Sequence, residues 1–294
     1  MHQLPHNEGG QMQYNSKEST MRKHLSTIIL GIVLLAGLSL LLYPTISDYW
    51  NSYHQSKAIA GYVQAVDNLD DEKRQKMLEA AQEYNEKLLS NDDRYHMTDE
   101  QREEYESLLD VSGNGIMAYI EIPSLNITIP IYHGTDKEIL QIGIGHIEGT
   151  SLPVGGYGTH CAVSGHRGLT SSKLFTDIDQ MAEGDVFMIY VLGETLTYQV
   201  DQIRIVLPDD LNDLKIESDK DYCTLTTCTP YGINTHRLLI RGHRIPNNDV
   251  DGLVVEDAKQ IKPLHEAMVL GVVFLVLYII ICKVIDKTIL YRFR

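Results

Sequence analysis

The chain has 294 residues, enough for one large domain or two small ones, and its 43% hydrophobic content is sufficient for a buried core. Acidic side chains outnumber basic ones by 40 to 25, which gives a formal net charge of −15. That balance argues against nucleic acid or an anionic lipid surface as the main partner.

Two apolar segments near the ends predict membrane-spanning helices. Residues 25–43 carry no charge over 19 positions, and at about 1.5 Å per residue they cover a bilayer core of about 30 Å. A cleaved signal peptide is the alternative, but "SLLLYPTIS" has no small-x-small cleavage site and the apolar run is long for one. The second segment, 267–285, is apolar except for Lys283, whose long side chain can extend to the membrane surface.

Basic residues at the outer flanks of both segments predict the orientation. Arg22 and Lys23 precede the first segment, and further basic residues accompany or follow the second, at Lys283, Lys287, Arg292 and Arg294. Because basic flanks stay in the cytoplasm, residues 1–24 and 286–294 are predicted cytoplasmic tails of a two-pass cell-membrane protein. Residues 44–265 are predicted to lie outside the cell, where their 18 basic and 36 acidic side chains favour solubility.

The first extracellular part, residues 44–110, is predicted to be helical. One helix is indicated by an apolar stripe at spacings of four, three and four, formed by Met77, Ala81, Tyr84 and Leu88. Asp70 or Asp71 can cap its first turn. A second helix begins in "TDEQREEYESLL", where Thr98 is the expected N-cap and Gln101 completes a capping box.

The next part, residues 111–250, has the pattern of a β domain, and residues 251–266 link it to the second membrane segment. Short β-branched runs separated by turn residues predict strands at "AYIEI", "ITIPIY", "THCAVSG", "DVFMIYVL", "TLTYQVDQIRIVL", "DYCTLTTC" and "HRLLIRGHRI". Pro123 and Pro130 are expected at strand ends or edges. "SSKLFTDIDQM" is the one predicted helical interruption, and the whole pattern indicates an all-β barrel or sandwich.

Three residues of this domain suggest acyl-transfer chemistry. Cys228 ends a predicted strand, and a cysteine becomes a nucleophile when a base or a cation stabilises its thiolate. His166, in "AVSGHRGLTSS", ends another strand, and Arg237 is a permanent cation able to hold an oxyanion. Taken singly, each has an ordinary interpretation: a buried cysteine, a turn histidine, a solvated strand end. The residues alone also leave other histidines open as the base, namely His133, His160, His236 and His243.

The motifs around these residues resemble those of a known family. "TLTTC", followed nine residues later by Arg237, looks like the TLxTC…R signature of sortases, and "IEIPSLNITIPIYHGT", "SGHRGL" and "SSKLFTDID" resemble class C, the pilin-polymerising branch. The resemblance implies an eight-stranded β-barrel with Cys228 as nucleophile, His166 as general acid/base and Arg237 as oxyanion and substrate stabiliser. It implies a transpeptidase that cleaves an LPxTG-like sorting signal of a pilin and joins it to a lysine of the next pilin through an isopeptide bond. No cofactor or metal is implied.

One motif of class C is only partly present. Those proteins usually carry a lid, an Asp-Pro-aromatic motif after a "YNxxL" helix, which covers the cysteine. Here Tyr84, Asn85 and Leu88 match the helix, but the nearest equivalent of the lid is Asp93-Arg94-Tyr95, without the proline that would stiffen it. We expect a weaker or absent lid at Asp93 and Tyr95, with an ordinary polar loop as the alternative.

Two further cysteines lie at matching positions. Cys161 precedes His166 by five residues, and Cys223 precedes Cys228 by five. If the two strands run parallel, Cys161 and Cys223 face each other on the side of the sheet opposite the catalytic pair. A disulfide outside the cell is one hypothesis, and two packed thiols are the alternative, because adjacent strands suit disulfides poorly.

The other functions left open differ in class. A sortase that anchors surface proteins to the cell wall shares the chemistry, although the second membrane segment argues against it. A hydrolytic cysteine protease would release a free carboxylate. A non-catalytic surface or pilus component would need its own sorting signal, and "KQIKPLHEAMVL" contains none.

Overall fold

The structure is a computed structural model that describes residues 9–91, 93–247 and 271. The linker at 251–266, the cytoplasmic tail at 286–294 and, except for Gly271, the second predicted membrane segment lie outside the described residues. The first predicted membrane segment, 25–43, and the β domain as far as residue 247 lie within the described residues.

A single long helix, α1 (Gly9–Asp67), contains the first predicted membrane segment and continues for 59 residues in all, with Pro44 inside it. Within the described part of the chain, one helical stretch is long and apolar enough to cross a membrane, Gly31–Asp67, and its most apolar window is not buried by the rest of the protein. The helix therefore continues without a break from the apolar segment into the residues that follow it.

Two shorter helices confirm the predicted caps. In α2 (Asp71–Leu89) the Asp70 side chain accepts a hydrogen bond from the Lys73 amide, and in α3 (Asp99–Ser107) Thr98 and Gln101 form the capping box. Ala81, Tyr84 and Leu88 are buried, as the apolar stripe predicts, and Tyr105 of α3 is fully buried against the same core. A further helix of six residues, α4 (Lys137–Ile142), was not predicted.

The β domain is a closed eight-stranded barrel in the order β1-β2-β3-β4-β7-β8-β6-β5. The strands are β1 (Ile116–Ile122), β2 (Ile127–Tyr132), β3 (Ile144–His146), β4 (Thr159–Ser164), β5 (Val186–Val191), β6 (Glu194–Val206), β7 (Asp221–Thr229) and β8 (His236–Ile245). Seven of them coincide with the predicted runs. Strand β3 was missed because three residues are too few to show an alternating pattern.

The interior of the barrel is filled by side chains from alternate strand positions, so it is a packed core. Val163 of β4, Leu225 of β7 and Ile240 of β8 are all fully buried in it, and Phe187 and Tyr198 stack there with ring centroids 5.6 Å apart. Cys228 and Arg237 lie on the opposite face of β7 and β8.

One local prediction needs correction, and one is met in an unexpected way. "SSKLFTDIDQM" does not form an α-helix: it contains turns and one short 3₁₀ helix, Ile178–Gln180. The Lys173 amide donates its hydrogen bond to Asp48 of α1 and not to a carbonyl within the segment. Leu174 has φ of 37°, which lies outside the right-handed helical region. Pro130 lies inside β2 and not at its end, but pairing with β3 begins only at Ile131, so among the described strands Pro130 adjoins β1 alone.

The part of α1 beyond the apolar segment packs along the barrel. The Tyr62 hydroxyl donates to the Met117 carbonyl at 3.0 Å and accepts from the Leu192 amide at 3.0 Å, and the Gln55 amide group donates to the Ile142 carbonyl at 2.8 Å. Asp48 and Asn51 contact the connection between β4 and β5. These residues recur every three to seven positions and so form one face of the helix.

Candidate active site

Strands β4 and β7 run parallel and bring two of the predicted residues together. Their register pairs Cys161 with Cys223 and Ser164 with Thr226. The contact continues past the end of β4, because the Gly165 amide donates to the Thr226 carbonyl at 3.0 Å and the Thr227 hydroxyl donates to the Gly165 carbonyl at 2.8 Å. If this register is extended two residues beyond the end of β4, it brings His166 beside Cys228.

The antiparallel pair β7–β8 supplies the third residue. Cys228 lies directly opposite Arg237, so their side chains share one face of the sheet with β-carbons about 4.5–5.5 Å apart. The guanidinium donates to the carbonyls of His236 at 3.1 Å and Asn234 at 3.4 Å. Cys228, His166 and Arg237 are all partly exposed, as groups that meet a substrate must be.

The turn at His166 leaves no room for a side chain at the position before the histidine. A β-carbon on Gly165 would lie 2.7 Å from the Phe175 ring and 2.8 Å from Ile144, so only glycine fits there. The Phe175 amide then donates to the His166 carbonyl at 3.2 Å and closes the loop behind it. Partial burial lowers the pKa of His166, so its imidazole is neutral at physiological pH and able to accept a proton.

The other histidines are unsuited to the role of base. His133 and His160 are buried and bonded to backbone carbonyls, and burial lowers the pKa of both, that of His160 to about 4. His236 pairs with Thr229, so it points to the opposite side of the sheet from Cys228. His243 pairs with Tyr222 near the other end of β7. Of these histidines, His166 is the one that an extension of the β4–β7 register directs toward Cys228.

A contact between two loops borders the site and was not predicted. Arg167 forms an ion pair with Asp179 and lies over the ring of Tyr231 at 5.7 Å. A β-carbon on Gly168, which has φ of 77°, would lie 2.8 Å from the same ring. The loops after β4 and β7 therefore pack together beside His166 and Cys228. In the sequence, Gly168 and Gly232 indicate a turn in each loop, but they do not show that the two loops contact each other.

One buried hydroxyl on the Cys228 face lacks a partner. Thr226 lies two residues before Cys228, which puts both side chains on the same side of β7. It is 6% exposed, and its Oγ1 makes no hydrogen bond within the described part of the chain.

The lid candidate lies against other parts of the barrel. The Asp93 carboxylate accepts a hydrogen bond from Nδ1 of the His96 ring at 2.6 Å, and the Arg94 guanidinium donates to the Leu214 carbonyl at 3.0 Å. A β-carbon on Gly149 would lie 2.8 Å from the Tyr95 ring, which shows how closely that ring packs on the loop between β3 and β4. The Tyr95 ring is therefore packed against the loop that contains Gly149.

Cys161 and Cys223 are free thiols in the structure and face each other in the barrel core, on the side opposite Cys228. Burial raises the pKa of the Cys223 thiol well above its usual value, so it stays protonated. Among residues 9–91 and 93–247, no group of three or more histidine, cysteine or carboxylate side chains is arranged to hold a metal ion.

Comparisons with known proteins agree with this geometry. Residues 120–263 match the Sortase domain family. Sortase C1 from Streptococcus agalactiae is 52% identical, with a TM-score of 0.63, and the match covers 65% of this chain and 99% of that one. Sortase C from Streptococcus pneumoniae is 42% identical with a TM-score of 0.59, over 65% and 97% of the two chains.

Curated relatives match over a shorter stretch. Sortase D from Bacillus subtilis is 30% identical over 129 residues, which are 43% of this chain and 62% of that protein. Sortase A from Bacillus anthracis is 27% identical, over 43% of this chain and 59% of that protein. The chain therefore spans less than two thirds of these curated relatives.

A closed eight-stranded barrel with a cysteine near the end of one strand, directly opposite an arginine on the next, defines a sortase-type β-barrel protein. The chain belongs to the sortase family, and its structural relatives place it in class C.

Proposed function

We propose that this protein is a pilin-polymerising transpeptidase in which Cys228 is the nucleophile, His166 the general acid/base and Arg237 the stabiliser of the oxyanion. The observation that supports this most directly is the register of the sheet, which puts Arg237 opposite Cys228 and continues to His166 on the other side. Three strands thus meet at one reacting centre.

The reaction proceeds in two acyl transfers. The Cys228 thiol transfers its proton to His166 and attacks the carbonyl carbon of the threonine in an LPxTG-like signal, and Arg237 stabilises the tetrahedral oxyanion. The intermediate collapses to a thioester as His166 protonates the departing glycine amine. A lysine amine of the next pilin then attacks the thioester; His166 takes the amine proton, and the thiolate leaves and recovers a proton, giving an isopeptide bond.

Surface features near the site support a peptide substrate. Large apolar side chains are exposed on the connections that follow β6 and β7: Leu207, Leu211, Tyr231 and Ile233. Such side chains suit the leucine and proline of a sorting signal. One relative, sortase C from Clostridium perfringens, 44% identical with a TM-score of 0.57, has been crystallised with the C-terminal cell wall sorting motif.

The same proposal covers the membrane arrangement. Helix α1 would anchor the protein through residues 25–43, the second segment at 267–285 would return the chain to the cytoplasm, and the barrel would lie outside the cell. The partners are then pilins that carry the sorting signal and the acceptor lysine. The apolar stretch within Gly31–Asp67 supports the first anchor.

The experiment mixes the full chain, in detergent or nanodiscs, with a candidate shaft pilin from the same genome, alongside Cys228→Ala. Covalent pilin ladders on a denaturing gel that disappear with the variant support the proposal. Transfer of the signal to a small amine without ladders would favour wall anchoring, release of a free carboxylate in the presence of amine would favour a protease, and no reaction at all would favour a non-catalytic surface protein.

A further inference from the structure

Helix α1 reaches the catalytic rim through two polar side chains. The Asp48 carboxylate oxygen Oδ1 accepts a hydrogen bond from the Lys173 amide at 2.7 Å, and the Asn51 side-chain Nδ2 donates to the Ser171 carbonyl at 2.6 Å. Both contacts join segments more than 100 residues apart in sequence. They lie three residues apart on α1, so they project from the same face of the helix.

The segment that they hold is the connection carrying His166. It leaves β4, turns at Gly165 and His166, passes through Ser171–Lys173, and returns to His166 through the hydrogen bond from the Phe175 amide. Ser172, between the two contact points, is 3% exposed. The connection forms no α-helix of its own, so its shape depends on groups outside it.

We infer that Asp48 and Asn51 are positioning residues for His166, through which the membrane-emerging helix sets the geometry of the catalytic histidine. Neither touches the reacting atoms. Their action passes through the backbone of Ser171–Lys173 to Phe175 and from there to the His166 carbonyl. The inference rests on the proposed function, since it assigns His166 its role.

The position of the two residues along α1 links them to the bilayer. Asp48 follows Tyr43, the last residue of the predicted membrane segment, by five positions, or about 7.5 Å of helix rise. The connection after His166 is therefore the part of the barrel that α1 holds nearest to the membrane. A sorting signal whose own chain is still held in the membrane would meet the catalytic rim on that side.

The test exchanges acid and amide at each position in the full chain. Asp48→Asn keeps an oxygen acceptor for the Lys173 amide, whereas Asp48→Ala removes it. Asn51→Asp keeps the shape but replaces the donor with an oxygen facing the Ser171 carbonyl, which repels it. Gln55→Glu is the matched control, because it makes the same kind of exchange one turn further along α1, where the partner is Ile142.

Two readouts distinguish positioning from a merely structural role. The first is the steady-state cleavage of a fluorogenic Leu-Pro-Glu-Thr-Gly peptide, split into kcat and KM. The second needs no substrate: it is the pH dependence of Cys228 alkylation by iodoacetamide, followed by peptide mass spectrometry, because a well-placed imidazole alters thiolate formation. His166→Ala is measured in parallel.

With Asp48→Ala and Asn51→Asp we expect kcat to fall about 10- to 100-fold, the loss that a small misplacement of a catalytic group produces, with KM little changed. The alkylation profile should shift toward that of His166→Ala. Asp48→Asn and Gln55→Glu should retain the native profile. If Asn51→Asp behaves like Gln55→Glu, or Asp48→Asn behaves like Asp48→Ala, the inference is wrong. If His166→Ala itself leaves the alkylation profile unchanged, it is the proposed role of His166 that fails.

Discussion

At the scale of single residues, Arg237 differs from an ordinary solvated strand end because it lies directly opposite Cys228. Its guanidinium is held by two backbone carbonyls and still remains partly exposed toward the site. A permanent cation in that position can stabilise the charge that develops on the scissile carbonyl oxygen.

We therefore expect Arg237→Ala to lower kcat by about 100- to 1,000-fold, the usual cost of losing an oxyanion donor. Arg237→Lys should recover part of the rate, since it restores the charge without the planar fork. Arg204→Ala, which removes a nearby surface cation bonded to Asp213, is the control and should retain activity. Equal rates for Arg237→Ala and the native chain would exclude Arg237 from the reaction.

His160 gives the barrel a defined acid sensitivity. Burial lowers its pKa to about 4 from an unfolded value of about 6.5, so at intermediate pH the unfolded chain binds a proton that the folded chain does not. The stability associated with this neutral histidine is complete above about pH 6.5 and is lost as the pH falls toward 4, by up to about 3 kcal/mol.

Melting temperatures of the full chain measured from pH 7.5 to 4.5 test this. His160→Gln should be destabilised at pH 7.5, because it loses the contacts with Lys215 and Thr224, and its deficit should narrow as the pH falls. His96→Gln changes an exposed histidine and should follow the native curve. A deficit that stays constant with pH would contradict the assignment.

At the scale of secondary-structure elements, α2 is joined to the barrel by one buried amide. The Asn85 side chain donates to the Leu152 carbonyl at 3.1 Å and accepts from the Leu152 amide at 2.7 Å, so it pairs with that residue as a neighbouring strand would. Asn85 is 3% exposed, and water cannot replace either bond.

Asn85→Asp should lower the free energy of unfolding by about 1–3 kcal/mol, because the acid cannot donate to the Leu152 carbonyl and its charge would be buried. Gln82→Glu makes the same chemical exchange on the exposed side of α2 and should have little effect. Thermal unfolding of both variants measures the difference, and equal shifts would show that the amide pair does not hold the helix.

The segment between α2 and α3 is the element where the lid would be. Because Asp93 pairs with His96 and Tyr95 packs on Gly149, we expect Asp93→Ala and Tyr95→Ala to leave the rate of Cys228 alkylation by iodoacetamide unchanged. A clear rise in that rate for either variant would indicate that the segment covers the thiol and functions as a lid.

At the scale of the whole molecule, the proposed two-pass topology puts both termini on the side of the membrane opposite the barrel. In a Cys228→Ala background, a membrane-impermeant maleimide added to intact protoplasts should label Ser56→Cys, on the exposed side of α1. Ser16→Cys and Thr288→Cys should be labelled only after lysis. Labelling of Thr288→Cys in intact protoplasts would mean that the second segment does not return to the cytoplasm.

Much of the fold could be predicted because its signals are local. The alternation of β-branched residues identified seven strands, and Asp70 and Thr98 cap helices through bonds to residues only three positions away. The candidate site residues were predicted from the resemblance of their motifs to those of sortases, since the residues alone left other histidines open as the base. The parallel arrangement of β4 and β7, which puts Cys161 opposite Cys223, is the one that the equal offsets to His166 and Cys228 assumed.

The strand pattern of the sequence and its resemblance to the sortases thus predicted the barrel and the helices before it, and the resemblance proposed the three catalytic residues. Only the tertiary structure decided the path of the connection after His166, which the sequence assigned to a helix, and the docking of α1 on it. Asp48 and Asn51 bond to groups more than 100 residues away, and such bonds replace the local ones that a helix would make. Local patterns report the preferences of a few neighbouring residues, so a conformation held by distant partners leaves no mark in them.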